Sequence, residues 1–222
     1  PIGSGGELRH MEGRNDLVVS NESPTPRASS LQRKTGETDI TVTVNLDGQG
    51  IFEVDTGNGF LDHMVSQIAR HGLFDITLHA VGDTHVGWHH LVEDVAIMLG
   101  RAFNQAIGEV KGIRRMGHSM APLDETLARV VVDCSGRPYA VVNTGLDGLM
   151  VETLSGDLGG HFLESFALEG RINMHADILA GVSPHHKAEA LCKALGRAMR
   201  DAVEIDPKSL GQIPSTKGTL DA

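Results

Sequence analysis

The stretch His89-His90-Leu91-Val92-Glu93 is followed by Leu99-Gly100-Arg101-Ala102, and both return 96 residues later as His185-His186-Lys187-Ala188-Glu189 and Leu195-Gly196-Arg197-Ala198. A repeated block of this length, with its spacing unchanged, indicates that one structural unit occurs twice in the chain. We therefore expect a fold that contains two equivalent histidine-rich helices.

Two smaller features recur upstream of these blocks in the same order, namely Glu37-Thr38 with Glu125-Thr126, and His63 with His161. Four matched features make coincidence improbable. The sequence therefore predicts two copies of one small unit, spanning residues 34–120 and 121–205 and packed as one body.

The elements within a unit follow from the spacing of apolar residues. From Thr38 onward, apolar and polar residues alternate up to Leu46, which is the pattern of a half-buried strand. The same reasoning predicts further strands at 51–54 and 73–80 and helices at 60–71 and 89–107. The expected fold class is α+β, an internal duplication of a strand-strand-helix-strand-helix unit, with sheets and helices packed in two layers.

Composition limits the possible classes of protein. The chain has 222 residues, 40% of them hydrophobic, which is enough for a substantial core. A net charge of −10 disfavours general nucleic-acid binding, and apolar runs such as Val95 to Leu99 fall far short of a membrane span. The two cysteines, Cys134 and Cys192, lie in apolar stretches and fit buried thiols in a reducing, cytoplasmic compartment.

Both ends of the chain lie outside the predicted units. Residues 1–33 lack a sustained apolar period and contain Ser23-Pro24-Thr25-Pro26, so we expect a mobile N-terminal tail without an export signal. Residues 206–222 form a C-terminal tail.

Twelve histidines are unusual in a chain of this size, and eleven of them lie between His63 and His186. On a helix, positions i and i+4 share a face, so His89 with Glu93, and His185 with Glu189, can each hold one cation. The second histidines, His90 and His186, point about 100° away and suit another cation. The sequence therefore predicts two metal sites, each assembled from both repeats or across subunits, with His63 and His161 completing them. Mixed histidine and carboxylate ligands suit Mn, Fe, Co, Ni or Zn.

Five motifs in order resemble one known family. They are Gly57-Asn58-Gly59-Phe60-Leu61-Asp62-His63-Met64, His89-His90-x-x-Glu93-Asp94, Asp133-Cys134-Ser135-Gly136-Arg137-Pro138, His185-His186-x-x-Glu189 and Ile213-Pro214-Ser215-Thr216-Lys217-Gly218. Over about residues 33–220 the chain resembles imidazoleglycerol-phosphate dehydratases. The resemblance implies dehydration of D-erythro-imidazole-glycerol phosphate to imidazole-acetol phosphate and water in histidine biosynthesis. It also implies two Mn²⁺ ions per active site and a homo-oligomer of 24 subunits with interfacial sites.

The same resemblance assigns roles to individual residues. The implied metal ligands are His63, His89, His90, Glu93, His161, His185, His186 and Glu189. The implied substrate contacts are Glu37, Gln67, His71, Arg115, Arg137, Lys193, Ser215 and Lys217, which makes the C-terminal tail functional. Glu37 is the expected catalytic base, with Glu93 and Glu189 as the alternative catalytic carboxylates.

Two other classes of protein remain possible from the residues themselves. A metal hydrolase could use the same ligands, although the zinc-protease orders His-x-x-Glu-His and His-Glu-x-x-His are absent from the sequence. A metal buffer or oligomeric scaffold would need the ligands but neither Glu37 nor the cationic residues. Turnover of the imidazole substrate separates the three.

Overall fold

Two similar halves make up the chain over residues 27–220, the part that the computed structural model describes. The first half contains β1 (Ala28–Lys34), β2 (Thr38–Asn45), β3 (Phe52–Asp55), α1 (Gly59–Gly72), β4 (Asp75–Gly82) and α2 (His89–Ile107). The second contains β5 (Met116–Leu123), β6 (Thr126–Asp133), β7 (Tyr139–Asn143), β8 (Met150–Val151), β9 (Leu154–Ser155), α3 (Asp157–Glu169), β10 (Asn173–Ala180) and α4 (Pro184–Val203).

The two main sheets have the same topology. Their strand orders are β1-β2-β4-β3 and β5-β6-β10-β7. In each sheet the last two strands are parallel and are joined through a helix, α1 or α3, whereas the other neighbours are antiparallel. The internal duplication predicted from the sequence is therefore confirmed.

The helices lie between the two sheets. In each half, both helices pack on their own sheet, while α1 contacts α4 and α2 contacts α3 across the middle. The alternation that predicted β2 places Ile40, Val42 and Val44 in the core. Each half is thus a sheet layer with a helix layer, as predicted, and the halves meet through their helices.

Glycines in the repeated Leu-Gly-Arg-Ala segments allow these helices to approach closely. A methyl group at Gly196 of α4 would lie 2.6 Å from the carbonyl oxygen of Ile68 in α1. A methyl group at Gly100 of α2 would lie 2.6 Å from the carbonyl oxygen of Phe166 in α3. The repeat therefore records a packing requirement as well as the ligand set, because only glycine leaves room for the facing backbone.

We expect Gly196→Ala to lower the free energy of unfolding by roughly 1–3 kcal/mol, because the added methyl must push α4 away from α1. Chemical denaturation of this variant measures the effect. Gly59→Ala is the control, since nothing lies within 4 Å of the methyl that it would add at the start of α1. Equal stability of the two variants would contradict the close-packing argument.

The predicted unit boundaries were wrong at both N-terminal ends. Residues 28–33, assigned to the tail, form most of β1, and 116–120, assigned to the first unit, begin β5. Each unit therefore starts with one more strand than predicted. β1 has only Leu31 as a large apolar residue, and β5 buries the small residues Gly117, Ser119 and Ala121, so neither strand shows a strong hydrophobic alternation. The rest of the predicted tail, residues 1–26, lies outside the described residues.

The segment after α4 runs back along the start of β5. Arg115 donates a hydrogen bond to the carbonyl oxygen of Pro214 (2.7 Å), and Gly112 N–H donates to Gln212 O (2.9 Å).

Among the described helices, none is long and apolar enough to cross a membrane. Both cysteines are buried free thiols, as predicted, and burial raises the pKa of each to about 12.

Candidate metal centres

The first ligand trio consists of His63 on α1 with His185 and Glu189 on α4. Glu189 Oε2 lies 3.1 Å from His63 Nε2 and 3.2 Å from His185 Nε2. One ligand atom from each residue lies within 4.8 Å of the other two. Helices α1 and α4 run side by side, so the trio combines one ligand from the first repeat with two from the second.

The second ligand trio is the counterpart of the first, with His89 and Glu93 on α2 and His161 on α3. Glu93 carboxylate oxygens lie 3.7 Å from His89 Nε2 and 3.3 Å from His161 Nε2. The two imidazole rings are stacked, with 4.9 Å between centroids. This arrangement again brings together residues of both repeats, and it is the grouping that the sequence predicts for a metal site.

One buried nitrogen in the second trio lacks a hydrogen-bond partner. His161 Nε2 is buried and makes no hydrogen bond with any described residue, since its 3.3 Å approach to Glu93 lacks hydrogen-bond geometry. Buried polar atoms normally have a partner, and a neutral imidazole nitrogen beside a carboxylate is a common transition-metal ligand. A divalent cation would satisfy this atom.

The remaining two histidines of the predicted ligand set face away from both trios. His90 Nδ1 lies 3.1 Å from Asp83, and His186 Nδ1 lies 2.8 Å from Glu125. These carboxylates raise the pKa of both imidazoles. In turn, Glu125 accepts hydrogen bonds from the backbone of Ser183 and from His186, which lower the pKa of its carboxyl. Each outward histidine thus has Nδ1 close to one carboxylate and Nε2 within 4 Å of a second, Glu37 for His90 and Asp124 for His186.

A row of polar side chains extends from the first trio along α1 and α4. Gln67 Nε2 lies 3.4 Å from His63 Nδ1, and Lys193 Nζ lies 2.7 Å from Glu189 Oε1. Burial would raise the pKa of Glu189, but hydrogen bonds from Lys193 and His63 outweigh it and lower that pKa to about 2. Burial, followed by the charge of Lys193, lowers the pKa of His71. Three predicted substrate residues, Gln67, His71 and Lys193, therefore lie beside this trio.

The corresponding row beside the second trio has different chemistry. Ile97 occupies the repeat position of Lys193, and Ser165 that of Gln67. Further along, Arg101 is paired with Glu169 at 2.7 Å. The duplication therefore preserves the His-His-Glu composition of the trios, but only the first trio has a lysine next to its carboxylate.

Glu37 lies in the turn between β1 and β2, next to an outward histidine. Its Oε1 is 3.9 Å from His90 Nε2. The turn is held by the buried carboxylate of Asp94, which pairs with Arg33 of β1 and accepts a hydrogen bond from Thr38. The expected base is therefore fixed relative to α2, beside His90 and apart from the two trios.

The other expected substrate residues form a separate group at the far end of the second half. Arg115 makes a bidentate pair with Asp133, at 2.6 and 2.8 Å. The Pro214 carbonyl that it also binds precedes Ser215, whose Oγ accepts from the backbone of Lys217. Arg137 lies in the loop between β6 and β7, where its backbone N–H donates a hydrogen bond to Ser135 Oγ (3.4 Å). Within residues 27–220, no hydrogen bond or ion pair connects this group with either trio.

Several acidic residues near the histidines were missed from the sequence. Asp83, Asp124 and Glu152 each lie within 4 Å of a histidine nitrogen. Asp83 and Asp124 directly follow the last residue of a strand, in a turn or loop where acidic residues are ordinary, so no local signal marked them. Glu152 lies in a short hairpin that has no counterpart in the first repeat.

Comparison with known proteins places these features in a family. The family model for imidazoleglycerol-phosphate dehydratase matches residues 56–199. An imidazoleglycerol-phosphate dehydratase of Albidiferax ferrireducens is 52% identical over 194 residues, which is 87% of this chain and 95% of the relative. Another, from Roseiflexus sp., is 53% identical over 194 residues, covering 87% and 98% of the two chains.

Solved structures of imidazoleglycerol-phosphate dehydratases have a similar fold. The crystal structure of imidazoleglycerol-phosphate dehydratase from Staphylococcus aureus superposes with a TM-score of 0.72 at 34% identity, covering 80% of this chain and 99% of that one. The enzyme from Pyrococcus furiosus gives a TM-score of 0.73 at 33% identity, covering 85% and 99%. Sequence, fold and duplicated ligand trios together establish that the chain belongs to the imidazoleglycerol-phosphate dehydratase family.

Proposed function

We propose that this protein is a hydro-lyase of histidine biosynthesis that converts D-erythro-imidazole-glycerol phosphate to imidazole-acetol phosphate and water. The observation that carries the proposal is the pair of His-His-Glu trios, which the duplicated fold assembles in a chain of this family. We further propose that the reaction takes place in the cytoplasm, which suits two unpaired buried thiols.

Two divalent cations per active site are part of the proposal, with Mn²⁺ as the expected ion. Each trio supplies two imidazole nitrogens and one carboxylate, a ligand set that suits Mn²⁺ and other transition metals. When bound, such cations supply Lewis-acid catalysis and a template for the imidazole and hydroxyl groups. The ligand count of three per trio leaves positions for a further ligand and for the substrate.

The outward histidines support an interfacial active site. His90 and His186 have no place in either trio of their own chain. Each has Nδ1 beside a carboxylate at hydrogen-bond distance, while Nε2 lies 3.8–3.9 Å from a second carboxylate, Glu37 or Asp124, and makes no hydrogen bond with a described residue. We therefore propose that they complete the trios of neighbouring copies in a homo-oligomer, for which the family suggests 24 subunits. Glu37 would accompany His90 into the neighbour's site, because Asp94 holds its turn to the same helix.

The chemistry requires a base and an anion site. Dehydration removes the hydroxyl next to the imidazole ring as water and a proton from the neighbouring carbon, giving an enol that becomes the ketone. Glu37, whose carboxylate is more than half exposed, would accept that proton. The phosphate would bind to Arg115, Arg137, Ser215 and Lys217, with Lys193 of another copy approaching from the first trio. Guanidinium and ammonium groups provide the charge that an acidic chain otherwise lacks.

A turnover assay tests the proposed function. Purified protein supplied with Mn²⁺ and D-erythro-imidazole-glycerol phosphate is expected to release imidazole-acetol phosphate, and EDTA should abolish the reaction until Mn²⁺ is restored. Release of inorganic phosphate instead would identify a metal hydrolase. Cation binding without any product would identify a metal buffer, and full turnover in EDTA would remove the cations from the proposal.

A further inference from the structure

The two repeats differ greatly in the connection that leads from the sheet to the helix carrying His63 or His161. In the first half, β3 leads to α1 through three residues, 56–58, whereas β7 leads to α3 through thirteen residues, 144–156. The longer connection forms the hairpin of β8 and β9, with Glu152 and Thr153 at its tip. This hairpin has no equivalent in the duplicated unit, so its contacts are specific to the second half.

The tip of the hairpin contacts the first ligand trio directly. Glu152 Oε1 lies 3.0 Å from His185 Nδ1, while His185 Nε2 lies 3.2 Å from Glu189 Oε2 on the opposite side of the ring. The ring is also packed against Phe60, with 5.5 Å between centroids. His185 is therefore held on one nitrogen by Glu152 and directs the other nitrogen into the trio.

The hairpin tip is fixed to the helix that carries the other histidine of this trio. Asn58 caps the N-terminus of α1, and its Nδ2 donates a hydrogen bond to Thr153 Oγ1 at 3.0 Å. The neighbouring Glu152 has φ of +51°, a left-handed conformation that glycine adopts more easily than glutamate. Glu152 therefore holds a backbone conformation that glycine would adopt with less steric strain.

The second trio lacks this arrangement. His89 is the repeat counterpart of His185, and its only ion pair among residues 27–220 joins its Nε2 to Glu93. A carboxylate on the outer nitrogen of a metal-bound histidine fixes the tautomer and raises the basicity of the ligating nitrogen, and its removal typically weakens metal binding 10–100-fold. The two trios therefore differ in the support given to equivalent ligands.

We propose that Glu152 is a positioning residue for the first cation site, accepting a hydrogen bond from His185 Nδ1–H so that Nε2 faces the ion. The inference rests on the proposed function only in assuming that this trio binds a divalent cation. It makes the first trio depend on the hairpin and leaves the second trio independent of it.

Mn²⁺ titration by calorimetry tests the proposal in wild type, Glu152→Gly and Glu152→Gln. In Glu152→Gly, one of the two sites is expected to weaken by about 10–100-fold while the other keeps its affinity. Glu152→Gln is expected to recover part of the loss, because its amide oxygen still accepts the hydrogen bond. Since glycine tolerates the left-handed backbone, Glu152→Gly should unfold no earlier than wild type on heating. Leu73→Gly is the control, since it relieves a similar φ of +57° without touching either trio.

Neutron diffraction from the metal-free protein provides a readout that does not depend on cations. The wild-type ring of His185 is expected to carry hydrogen on Nδ1, between the ring and Glu152. Unchanged Mn²⁺ affinities in Glu152→Gly, or a wild-type ring protonated only on Nε2, would overturn the proposal. If wild type binds no Mn²⁺, the proposed function fails, and the hydrogen position alone decides the role of Glu152.

Discussion

Glu189→Gln is expected to lower kcat/KM by about 10³-fold or more and to remove one bound Mn²⁺ per chain. The Glu189 carboxylate lies against both histidines of the first trio and against Lys193, so an amide would leave this trio without its carboxylate. A Lewis acid contributes several kcal/mol to the transition state, and each 1.36 kcal/mol is tenfold in rate. Steady-state kinetics and elemental analysis measure the two effects.

Glu164→Gln is the matched control for this variant. Glu164 is an exposed glutamate on α3, close in sequence to the ligand His161. We expect this variant to keep both ions and wild-type kinetics. If Glu189→Gln retained both ions and normal turnover, the first trio could not be a catalytic metal site.

Glu37→Gln is expected to lower kcat about 10²-fold or more while leaving KM and metal content nearly unchanged. The substitution preserves size and polarity but removes the group that would accept the proton, and general bases contribute about 10²–10⁴-fold. Its carboxylate lies 3.9 Å from His90 Nε2, on a turn that Asp94 holds to α2, so the proposed base stands beside a proposed ligand but outside the ligand set. Kinetics with saturating Mn²⁺ measure the change.

Lys217→Ala is expected to change KM, in contrast to Glu37→Gln, which is expected to change kcat. Its ammonium group forms no ion pair with any residue from 27 to 220, so its loss should raise KM for the phosphate substrate and leave kcat largely intact.

If Glu37→Gln kept near wild-type kcat with metal bound, the base would have to be sought at Glu93 or Glu189.

The sequence was informative about the fold where packing demands large apolar residues. The alternation after Thr38 and the helical period after His89 predicted β2 and α2 closely, because each buries one regular face. β1 and β5 were missed because an edge strand needs few apolar residues and because Gly117 is buried by lying tightly against α4. An added methyl there would be 2.1 Å from the carbonyl oxygen of Ala198. Close backbone contacts of this kind leave no hydrophobic signal.

Spacing on a helix predicted two of the three members of each trio, and the duplication supplied the third. His185 with Glu189 follows from the i, i+4 rule, and His63 was identified through its repeat partner. The sequence marked Glu125 only as the repeat of Glu37 and did not mark Asp83 or Glu152, because all three approach the outer nitrogens from other strands and turns. The sequence also did not predict that Arg115 lies apart from both trios, because that separation depends on the arrangement of the two halves.

Anomalous diffraction from Mn²⁺-loaded crystals with bound substrate tests the central claim most directly. Data at the manganese absorption edge are expected to show two peaks per chain, one in each trio. Each ion should be completed by His90 or His186 of a neighbouring copy, with Glu37 of that copy beside the substrate. Peaks outside the trios, or trios filled without any histidine from another copy, would contradict the interfacial two-cation site.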